Sequence, residues 1–144
     1  MVMSKSREGF QILEHTADAG VTAYGQDLGQ AFANAAAGLF SLIIDLDRVR
    51  ESLRRDIVIT APGIESLLVE WLNELIYIFD VDNLLFKRFE IAHIDSTSLR
   101  ARCYGERVDL SRHRLKTGVK AATYHLLKVE RHNSGYRAQV IFDI

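Results

Sequence analysis

The stretch FQILEHTADAGVTAYG, residues 10–25, decides the reading of the fold. FQILE and AGVTAYG are short and carry the Ile, Val, Thr and Tyr that favour strands, and the polar connection between them reads as a turn. The chain therefore opens on a β-hairpin. From Asp27 the period changes: Leu28, Ala31, Phe32, Ala35, Leu39, Leu42 and Ile43 share one helical stripe. Asp27 is placed as its N-cap, with Gln30 three residues on as the capping-box partner.

The remainder repeats these two signals. RRDIVITA, residues 54–61, has strand composition and stops at Pro62–Gly63, just before a second helical pattern. That helix puts Ile64, Leu67, Leu68, Trp71, Leu72, Leu75, Ile78 and Phe79 on one face, leaving Glu65, Asn73, Glu74 and Asp80 for the other. LLFKRFEIAHI and SLRARCYGERV alternate apolar and polar residues around the turn signal DSTS, a second hairpin; TYHLLKVERH and YRAQVIFDI around NSG make a third. Strand pairs interrupted by two helices, without regular β-α-β alternation, predict an α+β fold. Residues 1–144 are expected to form a single domain, a mostly antiparallel sheet with two long helices packed on one face.

A chain of 144 residues, 48% hydrophobic and 26% charged, is long enough to bury a sizeable core. The formal net charge of -1 excludes bulk attraction to nucleic acid or an anionic membrane, so any such binding must use a local patch. One cysteine, Cys103, cannot close an intramolecular disulfide, and no Cys/His spacing resembles a zinc site. The start, MVMSKSREGF, has charges without a following apolar run, and no segment approaches the ~18 apolar residues of a membrane span. A cytoplasmic protein with no membrane partner is the expectation.

Two carboxylates stand apart from any helix face: Asp18 in the first turn and Asp143 beside Ile144. If the last strand lies next to the first hairpin, Asp18, Asp143 and the carboxylate of Ile144 form an all-oxygen set suited to a hard divalent cation, Ca²⁺, Mg²⁺ or Mn²⁺. Alone, Asp18 reads first as a turn aspartate bonding its local backbone, and Asp143 as a solvated chain end. His15 is a candidate ligand or supporting donor, or a histidine bonded to turn backbone. Between Arg100 and Lys120 the count is seven Lys/Arg against two acids, a local basic surface without the interleaved aromatics of a stacking platform. Lys120, Thr123 and His125 are candidates for a polar row. Ser/His/Asp triads, phosphate-cradling Gly-rich loops and HExxH are absent from the sequence.

Three segments in order, HTADAGVTAYG, ESLLVEWLNELIYIFD and VKAATYHLLKV leading to QVIFDI, resemble the archease family over nearly the whole chain. The resemblance implies a protein cofactor, not a free-standing enzyme, that activates the RNA ligase joining a 3′-phosphate or 2′,3′-cyclic phosphate end to a 5′-hydroxyl end in tRNA splicing. It implies promotion of ligase guanylylation and turnover, with tRNA reached only through the ligase. The family's metal site maps onto Asp18, Asp143 and Ile144, and Lys120 matches a polar position of the third motif; His15 and His125 are further functional polar candidates. Ala19 and Gly118 depart from the family pattern, the first replacing a larger aliphatic residue, the second an acidic one. Readings of another class are a metal-dependent hydrolase on the same carboxylates and an RNA-binding module using the basic stretch.

Overall fold

The computed structural model describes the backbone of residues 2–7, 9–14 and 18–144 and the side chains of 9–13 and 18–144. In chain order the elements are β1 (Val2–Arg7), β2 (Phe10–Glu14), β3 (Asp18–Gly25), α1 (Leu28–Ile43), a 3₁₀ turn at Leu46–Arg48, β4 (Leu53–Thr60), α2 (Ile64–Asp82), β5 (Leu84–Ile94), β6 (Ser98–Arg107), β7 (Ala121–His132) and β8 (Gly135–Asp143). Every pairing is antiparallel. All three expected hairpins form, and the α+β class holds.

The strands divide into two sheets rather than one, a five-stranded sheet in the order β1-β2-β3-β8-β7 and a three-stranded sheet in the order β4-β6-β5. Helix α1 packs on β2, β3 and β8 of the larger sheet and on β5 of the smaller, while α2 packs on β7 and on β4, β5 and β6. Each helix thus has a sheet on more than one side, and this explains why α2 buries Val69 and Ile76 beyond its expected apolar stripe. β1 was not expected. It joins the sheet edge by backbone pairing to β2, which requires no apolar alternation.

The helix starts follow from local chemistry. Asp27 accepts the Gln30 N–H at 2.8 Å, and the Gln30 side chain reaches back to the Gln26 N–H at 2.7 Å, satisfying donors that α1 cannot. At α2 the Ser66 hydroxyl bonds the Gly63 main chain on both N–H and carbonyl. The helices are joined through fully buried Trp71, whose Nε1 donates to the Phe32 carbonyl at 3.1 Å. Phe89 packs between Trp71 and Phe40, its ring centroid 6.2 Å from the first and 5.9 Å from the second, so one apolar core runs between the layers.

Candidate functional site at the acidic end of β3 and β8

Asp18 begins β3 and Asp143 ends β8, and the register sets them directly opposite each other, with Ala19 facing Phe142 next along the ladder. Residues opposed in an antiparallel pair project to the same face, with Cβ atoms about 5 Å apart. On its other side Asp143 pairs with Ala121 of β7, and the Lys120 N–H donates to the Asp143 carbonyl at 2.8 Å. The expected adjacency of last strand and first hairpin is therefore real. It brings Asp18, Asp143, Ile144 and the Lys120 backbone to one end of the larger sheet.

Asp143 is exposed and Asp18 half-buried. The Asp18 Oδ1 atom is itself buried and has no hydrogen-bond partner. A buried acceptor without a donor costs about 1–3 kcal/mol, more when ionised, and a turn aspartate satisfied by its own backbone would not leave it so. Among the described residues no three His, Cys, Asp or Glu side chains converge. The donors present here, two carboxylates and the main-chain oxygen of Ile144, fit a hard cation that keeps part of its water shell. His15 lies outside the described residues.

Thr123 and His125 do not form the expected polar row with Lys120. Lys120 precedes β7. The Thr123 hydroxyl donates to the Ile141 carbonyl at 2.9 Å and accepts the His125 N–H at 3.3 Å. Beyond Thr123 the β7–β8 register jumps to Lys128 opposite Gln139, so residues 124–127 bulge out and alternation stops. Leu126 in this bulge takes a left-handed conformation at φ 53°, and its carbonyl is held by Gln139 Nε2 at 2.8 Å. His125 sits exposed in the bulge, out of register with Asp143.

The family model described as the Archease protein family (MTH1598/TM1083) matches residues 10–144. The chain belongs to the archease family. It is 38% identical over 146 residues to the Protein archease of Methanosarcina mazei, covering 99% of this chain and 100% of that protein. It is 39% identical over 136 residues to the Protein archease of Pyrococcus abyssi, with 91% and 95% covered. The solution structure of Methanobacterium thermoautotrophicum protein 1598 superposes with a TM-score of 0.83 at 34% identity, over 96% of this chain and 100% of that one. A Thermotoga maritima crystal structure, described as an archease and possible chaperone, shares the fold at a TM-score of 0.56 and 19% identity, over 98% and 99% of the two chains. Among the described residues no helix is long and apolar enough to cross a membrane.

Elsewhere on this archease fold, the seven cations counted between Arg100 and Lys120 do not make one surface. Arg100 and Arg102 point outward from β6, and Arg107 donates to the Asp82 carbonyl at 3.0 Å. Arg112, Arg114 and Lys116 instead meet Arg48 and Arg50, from the other side of the sequence. The meeting is organised by Glu106, a residue that sequence reasoning missed, only 6% exposed. Its carboxylate accepts the Arg50 main-chain N–H at 2.7 Å, the Arg112 guanidinium, and His113 Nε2 at 3.0 Å. His113 Nδ1 accepts the Asp109 N–H at 2.9 Å, so the ring proton that reaches Glu106 is on Nε2. Burial opposes ionisation of Glu106, yet the Arg50 N–H, Arg112 and His113 together hold its carboxyl below the ordinary value. No sequence signal marks it: Glu106 stands one residue before the end of an alternating strand, beside Gly105, and its partners are assigned by tertiary contact alone.

Proposed function

We propose that this chain is a protein cofactor that activates a GTP-dependent RNA ligase joining 3′-phosphate or 2′,3′-cyclic phosphate ends to 5′-hydroxyl ends, as in tRNA splicing and RNA repair. It acts in the cytoplasm, promotes guanylylation of the ligase and supports multiple turnover. A divalent cation is held by Asp18 and by Asp143 with Ile144, and Lys120, His125 and His15 are the polar residues offered to the partner. The observation that carries the metal-dependent part of the reading is the unpartnered, buried Asp18 Oδ1 directly opposite Asp143. Family membership supports the rest.

When bound, the cation supplies a fixed positive charge that neutralises this pair. The chain's own residues then do three things. Asp18 and Asp143 present their carboxylates from the ends of two paired strands; the Lys120 N–H, just before β7, fixes the Asp143 carbonyl; and the exposed Lys120 side chain offers a positive charge to a partner.

The test is reconstitution with a matching RNA ligase, GTP and excess RNA ends. Without this chain ligation stops near one round, and with it guanylylation and turnover both rise. An unchanged turnover number at saturating concentrations of the chain would sink the reading, and GTP hydrolysis by the highly purified chain alone would favour an enzyme instead.

A further inference from the structure

Two clefts of about 440 and 460 Å³ adjoin on the surface where the Leu46–Arg48 turn meets the connection from β6 to β7. They share Arg48 and Arg112 as common walls. Arg50 completes the first and Arg114 and Lys116 the second, so the pair is lined by five cations against two carboxylates, Asp45 and Asp47. The excess is invisible along the sequence because the contributing segments lie about sixty positions apart.

The cleft is built rather than incidental. Both cation-bearing segments are fastened to the same buried carboxylate: Glu106 binds the Arg50 main chain on one side and Arg112 and His113 on the other. Burying an ionised Glu against a His is costly and is often no more stable than an apolar replacement. What it secures here is the placement of arginines. Arg112 uses Nη2 on Glu106 and Nε on Asp109 at 3.5 Å, which fixes the guanidinium plane and leaves Nη1 directed away from these two carboxylates. Arg48, Arg50 and Arg114 are exposed and enter no ion pair among the described residues.

From this cleft the chain runs directly to the acidic end of the sheet. The Lys116 and Thr117 N–H groups bond the Ile43 and Leu42 carbonyls at the end of α1, and the Lys120 N–H bonds Asp143. Cationic side chains, at Arg48, Arg112, Lys116 and Lys120, thus recur along the way from the cleft to that end.

We propose that the paired clefts bind consecutive phosphates of a single-stranded RNA. Planar guanidinium groups brought together from two segments of the chain match phosphate oxygens bidentately. Each cleft is too small to admit a duplex. The proposal gives the chain a direct RNA contact that the ligase reading does not require, and it is tested without ligase.

The experiment is fluorescence anisotropy of a labelled single-stranded RNA, titrated with the intact chain at several salt concentrations. Arg48→Gln and Arg114→Gln together weaken binding at least tenfold at low salt, with melting temperature unchanged. Losing two phosphate contacts also flattens the slope of log affinity against log salt by about 1.4. Arg100→Gln, a cation on the outer face of the smaller sheet, changes neither. Equal affinity and slope in the double variant and wild type would overturn the proposal. So would displacement of the RNA by a polyglutamate of equal charge at equal concentration, since the cleft would then serve an acidic protein segment.

Discussion

Asp18 and Asp143 face each other across β3 and β8 as a like-charged cross-strand pair, at the strand ends where the larger sheet meets solvent. Opposed like charges destabilise a sheet by a few tenths to about 1 kcal/mol, and here one oxygen is also buried without a donor. Asp18→Asn therefore raises the melting temperature in chelator. With the proposed cation site, Asp18→Asn is also expected to remove a metal-dependent stabilisation by Ca²⁺, Mg²⁺ or Mn²⁺, about 2.7 kcal/mol at a hundredfold excess of metal over its dissociation constant. Thermal melts of wild type, Asp18→Asn and Asp143→Asn with and without each ion check both signs. Equal metal responses in all three would place the cation elsewhere.

How the pair was legible in the sequence differs from how the clefts were not. Asp18 and Asp143 stand at strand ends whose alternation can be read, so their meeting needed only the correct neighbour for β8, which the register supplies. The helices were legible for the same reason: period and caps are local, and Asp27 and Gln30 behave as their spacing predicts. The division into two sheets was not, because α1 and α2 each have apolar residues enough to serve a sheet on more than one side, and hydrophobic period alone does not count layers. Asn73 shows the limit at residue scale. It falls on the expected solvent face of α2 yet is half-buried, its Oδ1 accepting the Ala122 N–H at 2.8 Å at the edge of β7. The bulge at 124–127 was equally hidden, since a register jump is fixed by the partner strand.

Cys103 lies fully buried in β6, and burial pushes its thiol up to about 12. The thiolate needed for attack is then scarce at neutral pH. Reaction with a thiol-specific chromogenic reagent at pH 8 is expected only after denaturant is added. Rapid native labelling would mean that β6 opens readily.

Gly38 in α1 supports the layer of β3. A Cβ built there would come 2.5 Å from Val21 Cγ1 and 3.3 Å from Phe10 Cδ1, both on fully or nearly fully buried side chains. Gly38→Ala gains about 1 kcal/mol of helix propensity but forces Val21 off its site, an overpacking cost of about 1–3 kcal/mol. The single variant is expected to be less stable than wild type in urea. Combined with Val21→Ala the clash disappears, so the double variant is more stable than the sum of the two single effects.

Glu106 ties stability to pH. Its carboxyl is held below the ordinary value of about 4.3, with burial opposed by the Arg50 N–H, Arg112 and His113. A depressed folded-state pKa means that the unfolded chain binds the proton more readily. The stabilisation is therefore complete well above the unfolded value and is lost as pH falls through it toward the lower folded one. Glu90, Asp95, Asp109 and Glu130 are shifted in the same direction, so wild-type acid unfolding alone does not isolate Glu106. Comparison with Glu106→Gln does. The amide keeps the shape but loses charge-assisted bonds, costing about 2 kcal/mol at pH 7. As pH falls below the unfolded value the two proteins converge, because wild type is protonating the group the variant lacks. Glu106→Ala costs more at neutral pH, about 3 kcal/mol, since it leaves the buried His113 Nε2 proton without an acceptor. Urea denaturation of the three proteins between pH 3 and pH 7 is the measurement, and parallel pH profiles for wild type and Glu106→Gln would show that the carboxylate is not held as the geometry requires.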